Sequence, residues 1–267
     1  LRPWLGTFVE IRVAANGAHA ERAIEAGFAA ISLVHEKMSP LVSASDVSRL
    51  RRSATGGVLQ LHPWTWEVLS VAQLFAAWSN GEFDPTLSRR ARDGGNWYGF
   101  EILSSNRVCV RGPVPDLDLG GIAKGFAVDR AVDALRVEGI ESGAVNAGGD
   151  LRAFGSVAQP LAIRDPQTPS QIYHLGILQD EAVATSTNAT DPRGGGRLLR
   201  ARGRRLWIGR GSASVRAASC MMADALCKVV AAMGPKGAQS LLEMCDASAM
   251  VLTRGEMISI GNFHRAA

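Results

Sequence analysis

The segment Asp118-Leu119-Gly120-Gly121-Ile122-Ala123-Lys124-Gly125 constrains this chain more than any other. Two adjacent glycines accept the positive φ of a tight turn and let a backbone pass close to a ligand. Beyond them Ala123, Ala127, Ala131 and Leu135 recur at helical spacing, which predicts a helix over 122–135. A Gly-rich turn that opens a helix offers unpaired N–H groups and the positive end of the helix dipole, and both suit a phosphate. Asp118 before the turn and Lys124 inside the helix add one charge of each sign. A second turn, Asn146-Ala147-Gly148-Gly149-Asp150, follows the strand-like Gly143-Ala144-Val145. Two such turns this close in sequence point to a nucleotide site.

Around these turns, apolar spacing predicts helices at 18–38, 65–78, 217–233 and 236–245, with a short helix within 43–50. Gly234-Pro235 separates the third from the fourth. Strands are predicted at 7–13, 58–61, 107–110, 151–154, 161–163, 173–178 and 182–185, and 250–252 with 257–260 as a closing hairpin. Helices and strands are interspersed without a βαβ rhythm, so the class is α+β rather than a doubly wound sheet. A chain of 267 residues is ample for a sizeable core, and no linker or repeat divides it.

The composition, 46% hydrophobic and 20% charged, is that of a globular protein, and no apolar run reaches bilayer-spanning length. The net charge of +4 is modest but concentrated, with Arg193, Arg197, Arg200, Arg202, Arg204, Arg205 and Arg210 crowding one region. The preferred reading is an exposed hairpin with Leu198, Leu199, Leu206 and Trp207 inward; a patch for an acidic partner is the alternative. Cys109, Cys220, Cys227 and Cys245 show no metal spacing and read as reduced thiols. No histidine pairs with a nucleophile in a known motif, and neither a Walker loop nor a dinucleotide fingerprint is present.

Three acids stand at turns or helix starts. Asp84 precedes Pro85 and either caps that turn or serves a site. Asp118 either orders the glycine turn or meets a ligand. Asp224 lies among Ala and Met, so an unpaired carboxylate there would be costly. Lys228, one helical turn on, resolves that by an i,i+4 ion pair; a hard cation such as Mg²⁺ is the other solution, and spacing favours the lysine. Asp129 and Asp133 read as ordinary helix charges.

Taken in order, these segments resemble the ApbE family, the FAD:protein FMN transferases, over nearly the whole chain. The strongest pieces are 118–129 and 145–150, joined by Leu5-Gly6-Thr7, 80–86 (Asn-Gly-Glu-Phe-Asp-Pro-Thr), 182–186 and 219–226. The resemblance implies one α+β domain over 1–267 with mixed or antiparallel sheets flanked by helices, the alternative being two intimately packed lobes with the FAD site between them. It implies an enzyme that splits the FAD pyrophosphate, releases AMP and joins FMN to a Thr or Ser of a partner flavoprotein, using FAD as substrate and Mg²⁺. The alternative is a relative that binds FAD or another nucleotide without transferring it. Neither nucleic acid nor a transmembrane segment is expected, and both cytoplasm and periplasm suit such a protein.

By position, Leu5, Leu41, Glu82, Phe83, Asp84, Asp118, Lys124 and Ala189 would line the FAD site. Asn188 and Asp191 would be catalytic, and Gly121 (through its carbonyl), Asp224 and Lys228 would form the metal set. This chain departs from the family pattern at four of these. Leu5 replaces a Met, and Leu41 replaces an aromatic expected against the flavin. Asn188 stands where the family has its catalytic His, and Lys228 where it has a metal-binding Thr.

Overall fold

The structure, a computed structural model, describes residues 1–86, 97–114, 116–168, 170–187, 207–208, 210–253 and 255–263. Its centre is an eight-stranded antiparallel sheet in the order β1-β2-β6-β7-β10-β11-β12-β13. These strands are β1 (Arg2–Trp4), β2 (Thr7–Val13), β6 (Gly143–Ala147), β7 (Asp150–Phe154), β10 (Ala182–Thr187), β11 (Ser212–Ala217), β12 (Ser248–Thr253) and β13 (Glu256–Ile260). The other strands form a three-stranded sheet, β3 (Val58–Gln60), β5 (Arg107–Val110) and β4 (Phe100–Leu103), and a hairpin, β8 (Gln159–Arg164) with β9 (Ile172–Leu178). All the described pairings are antiparallel.

Strand alternation decides which layer covers which face of the large sheet. Val9, Ile11, Val145, Phe154, Ala184, Val215 and Val251 turn toward one core, shared with the helices α1 (Gly17–Met38), α4 (Ala123–Val137) and α5 (Cys220–Met244). Ala153, Val183 and Met250 turn the other way and pack under β8 and β9 through Leu161, Ile163, Leu175 and Leu178. The helices α2 (Asp46–Arg52) and α3 (Pro63–Trp78) complete the first layer beside the smaller sheet.

One predicted boundary moves, and three strands join the predicted set. The helix expected from residue 217 starts at Cys220, capped by the Ser219 side chain, because 212–217 is the interior strand β11. That strand is buried at every position, so its sequence shows no alternation to betray it. Strands β1 and β4, each flanking a partner that was foreseen, add to the predicted set. The break foreseen at Gly234-Pro235 is present, with Gly234 at φ 75° between the two helical halves of α5.

Candidate active site

The first turns of α4 and α5 cross in contact, and a glycine makes this possible. A Cβ on Gly125 would lie 2.2 Å from the Cys220 carbonyl oxygen and 2.9 Å from the Asp224 Cβ. With no side chain there, the Gly125 N–H reaches Asp224 Oδ2 at 3.1 Å. The two helix starts are locked from the other side by Asp129 of α4. Its carboxylate accepts the Cys220 and Met221 N–H groups at 2.9 and 2.8 Å, and Arg152 at 2.6 Å. An anion at a helix amino-terminus meets orphan donors and the positive dipole end together. Asp129 is therefore a structural lynchpin, not the ordinary helix charge its position suggested.

Two lysines and two fully buried aspartates meet beside this crossing. Lys124 pairs with Asp150, and Lys228 pairs with Asp224. The Lys228 ammonium also donates to Ser186 Oγ at 2.8 Å. Asp150 Oδ1 has no hydrogen-bond partner among the described residues. Burial, and then the charge of Asp224, push the Asp150 carboxyl up to about 6 despite Lys124. Burial alone would raise Asp224 too, but Lys228 and then Lys124 more than offset it and hold that carboxyl below its ordinary value. Lys124 is likewise held above its ordinary value: burial opposes the charge, and Asp224 and Asp150 outweigh burial.

Loops bring Phe83, Asp84 and Asp118 to the same place. Asp118 Oδ1 accepts the Gly120 N–H at 2.8 Å, so this acid orders the glycine turn. Its own N–H donates to the Pro85 carbonyl at 2.7 Å, which ties 83–86 to 118–121. Asp84 Oδ1 accepts the Thr86 N–H and hydroxyl at 2.8 and 2.7 Å, the capping role that Pro85 suggested. Burial raises the Asp84 carboxyl against the pull of Thr86. Phe83 is buried, its ring edge 3.4 Å from where a Gly121 Cβ would lie, so it walls the glycine turn from below. Glu82, beside it, is half-buried.

The Leu5-Gly6-Thr7 turn packs on the second glycine turn: Gly148, at φ 61°, leaves no room for a Cβ beside Thr7 Oγ1, which would be 2.4 Å away. Leu5 itself is half-buried at the core edge with φ 54°. Leu41 is 91% exposed on the loop between α1 and α2. Asn188, Ala189 and Asp191 lie outside the described residues, as do Arg193 to Arg205 of the arginine-rich segment. Trp207, at its end, rests on Gly234.

Gly121, Asp224 and Lys228, expected as a metal set, do come together. A Cβ on Gly121 would lie 3.7 Å from Lys228 Cγ and 3.9 Å from its Cε. The donor chemistry, however, is that of an ion pair. One Asp224 oxygen holds the ammonium and the other the Gly125 N–H. Among the described residues no three His, Cys, Asp or Glu side chains are placed to hold a metal ion. As they stand, these residues do not fit a divalent ion. Sequence reasoning passed over Asp129, Asp150 and Ser186. Asp129 was within reach: four residues after Gly125 and three before Val132, it falls on the buried stripe of α4.

The model of the ApbE family matches residues 5–252, so the chain is a member of the ApbE family. A curated relative from Chlamydia muridarum, an FAD:protein FMN transferase, is 26% identical over 193 residues. That match covers 63% of this chain and 58% of the relative's own length. Among solved structures, the ApbE protein of Thermotoga maritima superposes with a TM-score of 0.84 at 24% identity, covering 99% of this chain and 98% of that one. Flavin transferase ApbE from Vibrio cholerae gives 0.82 at 21%, covering 98% and 96%. These structures share the antiparallel α+β fold.

Proposed function

We propose that the chain is an FAD:protein FMN transferase, which moves FMN from FAD to a Thr or Ser hydroxyl of a partner flavoprotein and releases AMP. The observation that carries this reading is the convergence of the glycine turn that opens α4 with two lysine ammonium groups at one point. Such a point suits a diphosphate: two cations already fixed by buried carboxylates meet its anionic oxygens without reorganising. Family membership and the activity named for the Chlamydia relative support the same chemistry.

In this reading the acceptor oxygen attacks the FMN phosphorus in line and forms the new ester bond. The bridging P–O bond breaks, and AMP departs with its electron pair. Lys124 and Lys228 take up charge on the diphosphate oxygens, while Asp118 and Asp84 shape the loops that hold the turn. The acceptor's proton needs a base. Of the two positions carried over as catalytic, Asn188 has no group that accepts a proton near neutrality, whereas Asp191 has a carboxylate. Mg²⁺ enters no step, because the third ligand position holds an ammonium.

The test is incubation of the purified chain with FAD and a flavoprotein bearing the acceptor hydroxyl, with separation of FAD, FMN and AMP by chromatography. AMP in equal amount to flavin covalently attached to the acceptor is the expected result. FAD recovered bound but intact would instead favour the nucleotide-binding reading.

A further inference from the structure

We propose that Lys228 is the resident cation of this site: its ammonium fills the position against Asp224 that the family resemblance gives to a divalent ion, and the chain binds its nucleotide diphosphate without one. The proposal rests on the FAD reading above and adds the identity of the cation. Lys228 is placed for this from three sides. Its stem runs alongside Gly121, its ammonium is fixed by Asp224 and by Ser186 Oγ, and Asp224 is itself held by the Gly125 N–H. An ammonium has three hydrogens, and Asp224 and Ser186 account for two of them, leaving the third for an anionic oxygen. The side chain is 19% exposed, so this lysine is fixed on a buried carboxylate while part of it still reaches the surface.

A divalent ion entering here would have to displace the ammonium from Asp224, or lie beside it as a like charge. Displacement would also strip the lysine of its buried counter-ion, which is the costly way to break such a pair. The threonine expected at this position offers a neutral oxygen, and it leaves the Asp224 charge for a metal to balance. The lysine balances that charge with a covalently attached cation. The exchange predicts an enzyme that is insensitive to chelator, and one whose metal dependence a single substitution restores.

The experiment uses the full chain and its Lys228→Thr variant in two arms. The first titrates Mn²⁺ into each protein without nucleotide and follows free Mn²⁺ by electron paramagnetic resonance. The second follows FAD binding by flavin fluorescence in EDTA and in Mg²⁺. The wild type is expected to leave Mn²⁺ free where Lys228→Thr binds one equivalent. Wild-type FAD affinity should change less than about twofold between EDTA and Mg²⁺, while Lys228→Thr loses about tenfold in EDTA and regains it with Mg²⁺. One equivalent of Mn²⁺ on the wild type, or a tenfold loss of its FAD affinity in EDTA, overturns the proposal with no variant needed. FAD left unbound by the wild type in both conditions would sink the FAD reading and the nucleotide half of this proposal with it. The Mn²⁺ arm would still read whether Lys228 stands in for the ion.

Discussion

At the scale of single residues, the site is a set of buried charges that balance in pairs, and removing one member exposes the other. Asp129 is the sharpest case, because one carboxylate serves Arg152 and two backbone N–H groups of α5. Asp129→Ala should destabilise the fold by about 3–5 kcal/mol, the cost of leaving a buried partner charge uncompensated. Urea denaturation measures it, and a loss under about 1 kcal/mol would show that the helix start does not depend on this anion. Asp150 sets a pH dependence of a particular sign. Its carboxyl rises from 3.8 to about 6 on folding, so the native state binds this proton more tightly than the unfolded chain. Its contribution to stability is therefore greatest at the acid side and falls as pH rises through that window. Asp224, held below its ordinary value, acts oppositely and at lower pH, where its protonation removes stability. Stability curves of wild type and Asp150→Asn should diverge with rising pH between about 4 and 6, the variant gaining relative to the wild type. Parallel curves over that interval would contradict the shift.

Between elements, the decisive contact is the crossing of α4 and α5 at Gly125. Gly125→Ala places a methyl against the Cys220 carbonyl, so the helix starts must part and the Asp224 bond to the Gly125 N–H must lengthen. The expected cost is about 1–3 kcal/mol of overpacking, read as a lower melting temperature, together with weaker FAD binding. Unchanged FAD affinity in a destabilised Gly125→Ala protein would separate the crossing from the site. Much of this level was legible in the sequence. The glycine turn, the helix behind it and the i,i+4 pair of Asp224 and Lys228 all follow from local spacing. What stayed hidden was long-range. Strand β11 is buried on both faces and built largely of small residues, so it carries neither alternation nor a turn signal. The pairing of Asp150 with Lys124 joins residues 26 apart, and Asp129 caps a helix about 90 residues away. No local pattern encodes such partners. The carboxylates whose partners lie within a few residues (Asp84, Asp118, Asp224) were the ones sequence could place.

For the whole molecule, the question is whether the two larger sheets behave as lobes or as one body. Phe100 and Val108 of the smaller sheet, Phe75 of α3 and Phe83 of the site loop belong to the same contiguous apolar core as Val145 and Val215 of the large sheet. The Pro85–Asp118 hydrogen bond then ties the loop beside the smaller sheet to the glycine turn that starts α4. A core continuous across both sheets cannot lose one side without exposing the other, so unfolding is predicted to be a single cooperative transition. Because the site draws on α4, α5, the large sheet and the 83–86 loop, FAD should move that transition as a unit. At about one hundred times its dissociation constant a ligand adds about 2.7 kcal/mol, which for a chain of this size raises the melting temperature by about 5 °C. Differential scanning calorimetry with and without FAD reads both points at once. Two transitions, with only the higher or only the lower shifted by FAD, would divide the chain into lobes and assign the nucleotide to one of them. A single transition that FAD leaves in place would keep the one-body fold and remove the ligand from it.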